Sequence, residues 1–220
     1  MKKIIMSVVA LAVATTMNAQ VYVGGSLGFS SSNDKTEASR NNTTYTEETK
    51  KTSFEILPEI GYKLNDNMAV GTVIGLTYSN IDYPTEENIS HSLKGTYFNF
   101  KPYFRYYFAQ WDKVSLFADA QIGFVTGKAT DEYSGNGVTV SSDIKTTEYS
   151  FAIVPGIAYQ PTEKISIVAK LGKGLGYWHT KDTTPTDNGN GGTYDVDVIN
   201  NEFGLNLKSL GLTVGVYYNF

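Results

Sequence analysis

Apolar residues alternate with small or polar residues in eight separate stretches of this chain. Because successive side chains of a β-strand point to opposite faces, a period of two predicts strands with one apolar and one polar face. The last stretch is the clearest case, since every second residue from Leu210 to Phe220 is apolar or aromatic. The eight stretches lie near residues 21–31, 52–64, 68–79, 95–108, 114–127, 146–159, 165–178 and 203–220. Together they predict an all-β fold.

Two irregularities interrupt this pattern. Prolines lie inside three predicted strands, where a residue without an N–H normally marks an edge or a bulge, so we expect local bulges at Pro58, Pro102 and Pro155. In the last stretch the apolar residues occupy odd positions up to Leu207 and even positions from Leu210. This change predicts a β-bulge near Lys208–Ser209, or a separate strand that begins at Leu210.

The connections between the stretches alternate between short and long. The short ones are rich in Asn, Asp and Pro, as tight turns are, and cover residues 65–67, 109–113 and 160–164. The long ones are polar and are predicted to be loops; they cover residues 33–51, 80–94, 128–145 and 179–201. This alternation is typical of an antiparallel up-and-down barrel of eight strands, with short turns on one rim and long loops on the other. Both termini then lie on the short-turn rim.

The apolar faces of these strands predict contact with lipid. Seven of the stretches have about 11–14 residues, and the last is longer, so all of them reach the roughly 9–11 that a tilted strand needs to cross a bilayer. A closed barrel also satisfies every backbone donor and acceptor inside the membrane. Aromatic residues gather at both ends of the strands, as in the interfacial girdles of membrane barrels. The predicted girdle residues are Tyr106, Tyr107, Trp111 and Tyr159 at the short-turn rim and Tyr78, Tyr149, Tyr177 and Trp178 at the other. The alternative is a soluble antiparallel barrel or sandwich, which explains the girdles less well.

Residues 1–19 are predicted to be a secretory signal peptide that is cleaved after Ala19. Met1-Lys2-Lys3 is basic, and the apolar segment Ile4–Ala14 is too short to cross a membrane as a helix. Residues 20–220 then form a single barrel domain. The alternative interpretation of the first residues is a helix buried in a core.

Composition argues against several classes of function. The chain has 18 basic and 22 acidic side chains, and loss of Lys2 and Lys3 leaves 18 − 2 = 16 against 22, a formal charge of −6. This balance is unlike the basic surface of proteins that bind nucleic acid, so no nucleic-acid partner is expected. The chain contains no cysteine, so we expect no disulfide, thiolate metal site or lipid-anchored N-terminal cysteine. No cofactor is expected either.

The inward phase of the predicted strands carries charges of both signs. An eight-stranded barrel has an interior that side chains nearly fill, so we expect these charges to pair across the lumen and block it. The candidate lumen charges are Glu55, Glu59, Lys63, Lys101, Arg105, Asp119 and Lys170. The alternative is that they line a proton or ion path, which would make the protein a narrow channel or small-solute transporter.

The chain resembles the small bacterial outer-membrane β-barrel proteins, the class that contains the barrel domain of outer membrane protein A and the proteins related to outer membrane protein X. The resemblance rests on the N-terminal segment, the eight stretches, residues 61–71 and the ending Tyr218-Asn219-Phe220. It implies a monomer in the outer-membrane lipid with both termini in the periplasm. It also implies that Tyr218 and Phe220 form the terminal signal read by the barrel-assembly machinery.

The long connections are the predicted functional surface, because exposed segments on a rigid scaffold commonly carry binding. They imply a role in membrane integrity, in adhesion or in evasion of host factors, through a host or cell-surface ligand. A solvated cap without a partner is an equally consistent interpretation.

Catalysis and metal binding are weaker hypotheses. Some eight-stranded barrels modify lipids with a His, a Ser and a carboxylate, and here the group would be His91 with its serine neighbours and Glu86 or Glu87. The His-x-Ser spacing of the known lipid A deacylase is missing, so no catalytic residue is assigned. Oxygen ligands for Ca²⁺ would come from Asp182, Asp187, Asp195 and Asp197, but their spacing does not match an EF-hand, so no metal residue is assigned.

Overall fold

The computed structural model of the chain describes residues 21–40, 43–84, 89–187, 192–206 and 212–220. They form ten β-strands: β1 (Val21–Arg40), β2 (Thr43–Asn65), β3 (Met68–Asp82), β4 (Ile89–Trp111), β5 (Val114–Gly135), β6 (Val138–Thr162), β7 (Ile165–Leu171), β8 (Gly174–Asp187), β9 (Thr193–Asn206) and β10 (Leu212–Asn219). In this part of the chain, no helix is both long and apolar enough to cross a membrane.

Eight of the strands close into an antiparallel ring. Strands β1 to β7 pair in sequence order, β7 pairs with β10, and β10 returns to β1. The closing pairs run from Tyr22 opposite Asn219 to Phe29 opposite Leu212. The ring confirms the predicted eight-stranded antiparallel barrel.

The seventh predicted strand is interrupted near its middle. Both β7 and β8 pair with β6, but the register changes from Gly156 opposite Lys170 to Ile153 opposite Leu175, which places two extra residues between β7 and β8. Gly172 and Gly174 have φ angles of 55° and 75°, a backbone conformation that a residue with a Cβ adopts with strain. Strand β9 pairs with β8, so the last predicted strand is also divided, into β9 and β10. The predicted bulge at Lys208–Ser209 lies outside the described residues.

Two of the three predicted proline bulges are wrong. The register continues unchanged across Pro58 and Pro102, and the shifts in their ladders lie elsewhere, at residues 63–65 and 107–109. A residue in an antiparallel sheet directs its N–H to only one neighbouring strand, so a proline removes one ladder bond and leaves the other side intact. Pro155 likewise keeps its register with β5, but it faces the interruption between β7 and β8 on its other side.

The two faces of the barrel wall differ as predicted. The apolar set points outward, with Leu27 58% and Phe29 62% exposed, while the residues between them face the interior. Tyr78, Tyr106, Trp111, Tyr149, Tyr159 and Tyr177 lie on the outer surface. Tyr107 and Trp178 do not: Tyr107 packs on Phe117 inside the barrel, and Trp178 is only 4% exposed. Each follows an outward aromatic residue directly, and neighbours in a strand face opposite sides.

The long connections are β-hairpins over most of their length, so the prediction of loops is wrong there. Pairing continues to Arg40 opposite Thr43 in the first and to Gly135 opposite Val138 in the third. The third turns at Asn136-Gly137, whose φ angles of 53° and 76° are those of a two-residue hairpin turn. These strands have water on both faces, so no apolar period marks them, while their Thr, Val and Tyr residues favour strands. We call residues 33–51, 80–94, 128–145 and 179–201 the long hairpins.

Candidate functional site

Inward side chains from six strands meet near the middle of the barrel. We call this group the lumen plug. It consists of Tyr22 (β1), Glu59 (β2), Tyr103 and Arg105 (β4), Asp119 (β5), Lys170 (β7) and Tyr217 (β10). All seven residues are buried, and the most exposed of them, Lys170, is 8% exposed. Because the members come from strands all around the ring, their contacts span the lumen.

Arg105 is the centre of the plug. Its Nε and Nη2 donate hydrogen bonds to the two carboxylate oxygens of Asp119, at 2.7 and 2.9 Å, and Nη2 also donates to Glu59 at 3.2 Å. Arg105 lies directly opposite Asp119 in the β4–β5 register, so the pair forms between neighbouring strands. The guanidinium also lies 4.1 Å from the ring centroid of Phe117, within range of a cation–π interaction. Two-point pairing with a carboxylate fixes the orientation of the guanidinium.

Lys170 completes the charge balance of the plug. Its Nζ lies 2.9 Å from Glu59 Oε2 and 3.2 Å from Asp119 Oδ2. Two carboxylates therefore share two cations, and the formal charge of the group is zero. Burying charge is costly unless it is paired and hydrogen-bonded, and here every charged member contacts a group of opposite sign.

Two tyrosines complete the hydrogen bonding of Glu59, and a third is bonded to one of them. Tyr103 donates to Oε1 at 2.5 Å and Tyr217 donates to Oε2 at 2.9 Å. The hydroxyl of Tyr22 is hydrogen-bonded to that of Tyr103 at 2.5 Å. The Tyr22 ring lies over Gly61, where any side chain would collide with it. Tyr22 and Tyr217 are not among the residues predicted for the lumen, although their inward phase in the strands is a usable signal.

The other predicted lumen charges lie outside the plug. Glu55 and Lys101 line a cavity of about 220 Å³ on the side of the long hairpins, which we call the hairpin-side cavity. Lys63 lines a smaller cavity of about 60 Å³ toward the short turns, together with Asp66. Lys170 borders the first cavity and Tyr22 and Tyr217 border the second, so the plug separates them. This arrangement divides the lumen into two compartments.

The two terminal aromatic residues lie on the outer face. Tyr218 and Phe220 are both exposed, and their ring centroids are 5.0 Å apart. The backbone N–H of Phe220 donates to the carbonyl of Val21 at 3.0 Å, so the end of the chain is held against its first strand. Recognition of these residues by the assembly machinery stays a prediction.

Both histidines of the chain, including the candidate catalytic residue His91, make local contacts in the long hairpins. His91 Nε2 lies 2.7 Å from Asp131 Oδ1, and its ring stacks on Tyr83 with centroids 4.3 Å apart. His179 Nδ1 lies 2.8 Å from the side-chain oxygen of Asn201. Glu86 and Glu87 lie outside the described residues. An enzymatic role stays a hypothesis with no further support from these contacts.

The acidic residues of the last long hairpin have protein partners. Asp182 accepts a hydrogen bond from Thr146 at 2.6 Å. Lys181 and Thr183 donate hydrogen bonds to Asp197 and hold the pKa of its carboxyl below the usual range. Within the described ranges, no group of three His, Asp or Glu side chains is placed to hold a metal ion.

Comparison with known protein families gives a match over nearly the whole chain. The model of the family described as outer membrane protein beta-barrel domain matches residues 4–220. No curated protein sequence matches the chain.

Several solved structures align with most of this chain at low sequence identity. For Neisserial surface protein A, identity is 14%, coverage is 91% of this chain and 97% of the other, and the TM-score is 0.35. Ail, the attachment invasion locus protein of Yersinia pestis, is 16% identical and has a TM-score of 0.36, and the alignment covers 92% of this chain and 99% of Ail. The outer membrane protease OmpT from Escherichia coli is 11% identical and has a TM-score of 0.47, and the alignment covers 91% of this chain and 97% of OmpT.

Proposed function

The chain belongs to the family of outer membrane protein β-barrel domains and so lies in the bacterial outer membrane. We propose that it is a sealed scaffold that presents its long hairpins for contact at the cell surface. In this proposal the short turns and both termini face the periplasm. The protein acts as a monomer and performs no catalysis. Its role is in membrane integrity, adhesion or evasion of host factors.

The lumen plug is the observation that carries this proposal. Four charged side chains and three tyrosines contact one another across the barrel, and each carboxylate is bonded to both cations. An ion that crosses the barrel would have to break several of these buried contacts. With the lumen closed in this way, the proposal leaves the surface outside the membrane as the place where the protein meets a partner.

The long hairpins have the features of such a surface. They extend the paired strands of the barrel, so their residues are held on a rigid support. Large apolar or aromatic side chains are exposed on them, among them Tyr133, Val138, Val140, Tyr194 and Val198. Exposed apolar groups on polar hairpins favour contact with another macromolecule.

Shortening the third long hairpin is expected to reduce cell adhesion at least fivefold without unfolding the barrel. The variant removes residues 130–143 and joins Ala129 to Ile144 through Asn-Gly, which keeps these two residues paired as they are now. Escherichia coli cells that display either form are counted on wells coated with mammalian extracellular matrix and scored for aggregation with one another.

The matched control keeps the hairpin and replaces only Lys113, in a short turn, with glutamine. Heat-modifiable migration on gels verifies folding of every form. If variants with each of the four hairpins shortened in turn adhere and aggregate like the unmodified chain, the surface-contact role is wrong.

A narrow channel is the alternative proposal, and the two cavities are the observation that favours it. They approach the plug from opposite sides, so a rearrangement of the plug alone would join them. The two proposals differ in whether the folded barrel conducts ions.

A further inference from the structure

The hairpin-side cavity is a blind compartment inside the barrel. Its lining reaches from Lys170 of the plug to Ser30, Ser53 and Glu148 nearer the long hairpins. Small inward residues such as Gly28 and Ala152 leave the space open. At about 220 Å³ it can hold roughly seven water molecules, or one small molecule in their place.

Two opposite charges line this cavity without forming an ion pair. Lys101 interacts electrostatically with Glu55 and with Glu148, but no carboxylate oxygen of either residue lies within the 4.0 Å of a salt bridge to its ammonium group. Glu55 accepts one hydrogen bond, from Thr77 at 3.3 Å. Among the described residues, none forms a direct hydrogen bond or ion pair with the Lys101 ammonium. Each group can therefore accept a partner from the cavity.

The remaining charges of the lining are already compensated. Lys173 lies 3.6 Å from Glu148, and Lys170 is bonded within the plug. The cavity wall also carries an apolar part, formed by Leu57, Val73, Val154 and Trp178. Lys101 and Glu55, neither of them held in an ion pair, thus face the same small volume as an apolar wall.

We propose that this cavity binds a small zwitterion, an α-amino acid with an apolar side chain. The carboxylate of the ligand binds Lys101, its ammonium group binds Glu55, and its side chain packs on the apolar wall. A simple anion or cation would pair with only one of the two charges and leave the other without a contact. A zwitterion satisfies both charges and keeps the net charge of the cavity unchanged. Such a ligand would lie in the lumen, away from the surface of the long hairpins.

Calorimetry with three related compounds tests the zwitterion directly. The full refolded chain, in an uncharged polyoxyethylene detergent, is titrated with L-leucine, with 4-methylpentanoate, which lacks the amino group, and with 3-methylbutylamine, which lacks the carboxylate. We expect one saturable site for leucine with a Kd below about 1 mM, and at least tenfold weaker binding of either fragment. The absence of saturable heat with leucine overturns the proposal, as does a fragment that binds as tightly as leucine.

A pair of lysine variants locates the site. Lys101→Gln is expected to weaken leucine binding at least tenfold, whereas Lys94→Gln, at an exposed position in a long hairpin of the same strand, leaves it unchanged. Equal affinity in the two variants places the ligand outside the cavity and overturns the proposal. If Lys101→Gln does not fold, the comparison of the three compounds on the unmodified chain decides the matter.

Discussion

Replacing Arg105 with alanine is expected to lower the free energy of unfolding by about 3–5 kcal/mol, because removal of one partner leaves a buried charge uncompensated. Arg105 contacts both plug carboxylates, and Asp119 would keep only its contact with Lys170. The measurement is equilibrium unfolding in urea of the chain refolded into lipid vesicles. Tryptophan fluorescence can follow it, because one of the two tryptophans, Trp178, is buried inside the barrel.

Two further variants separate lost pairing from general damage. Lys128→Ala, at an exposed lysine of β5, is expected to change the free energy by less than about 0.5 kcal/mol. Arg105→Met combined with Asp119→Leu leaves Glu59 and Lys170 as a neutral pair, and replacing a whole buried ion pair with apolar residues is often tolerated. This double variant should recover at least half of the loss. A loss below about 1 kcal/mol for Arg105→Ala would contradict a buried lumen plug in which every charge is paired.

Replacing Ile74 with arginine is expected to cost about 2–4 kcal/mol, the range for a charge placed on the lipid face near the middle of a bilayer. Ile74 is 43% exposed, lies on β3 between the two rims and belongs to the outward apolar set. The matched change is Val140→Arg, at a residue that is 61% exposed on a long hairpin. This second change should cost close to nothing, since its side chain lies in water.

The difference between the two unfolding free energies reports the solvent around each residue, because both side chains are exposed and both receive the same charge. Unfolding in urea from lipid vesicles measures the two costs under one condition. Equal costs for the two variants would mean that Ile74 does not face hydrocarbon. The lipid face assigned to the outward residues would then be wrong.

The faces of the barrel wall follow from the sequence because they depend only on the period of two. Lipid selects apolar residues at every outward position, so the pattern is strong wherever the strand crosses the membrane. The period of two also places Tyr107 and Trp178 inside the barrel, since each directly follows an outward aromatic residue. The long hairpins could not be found in this way, because water on both faces imposes no alternation.

The membership of the plug is harder to predict than its residue types. Inward phase is shared by Glu55, Glu59, Lys101 and Arg105, but only Glu59 and Arg105 lie at the level of the plug. Which inward residues meet depends on how far each strand is staggered around the closed ring. The contact of Glu59 with Lys170 joins residues 111 positions apart, and no local pattern encodes it.

Single-channel conductance of the refolded chain in a planar bilayer tests most directly whether the plug seals the lumen. Heat-modifiable migration of the same sample verifies that the barrel is folded. We expect no current steps above the baseline of the bilayer, because Glu59, Arg105, Asp119 and Lys170 close the barrel between its two cavities. Stable, ion-selective steps from the folded protein would show that the plug does not seal the lumen and would make these residues the lining of a narrow channel.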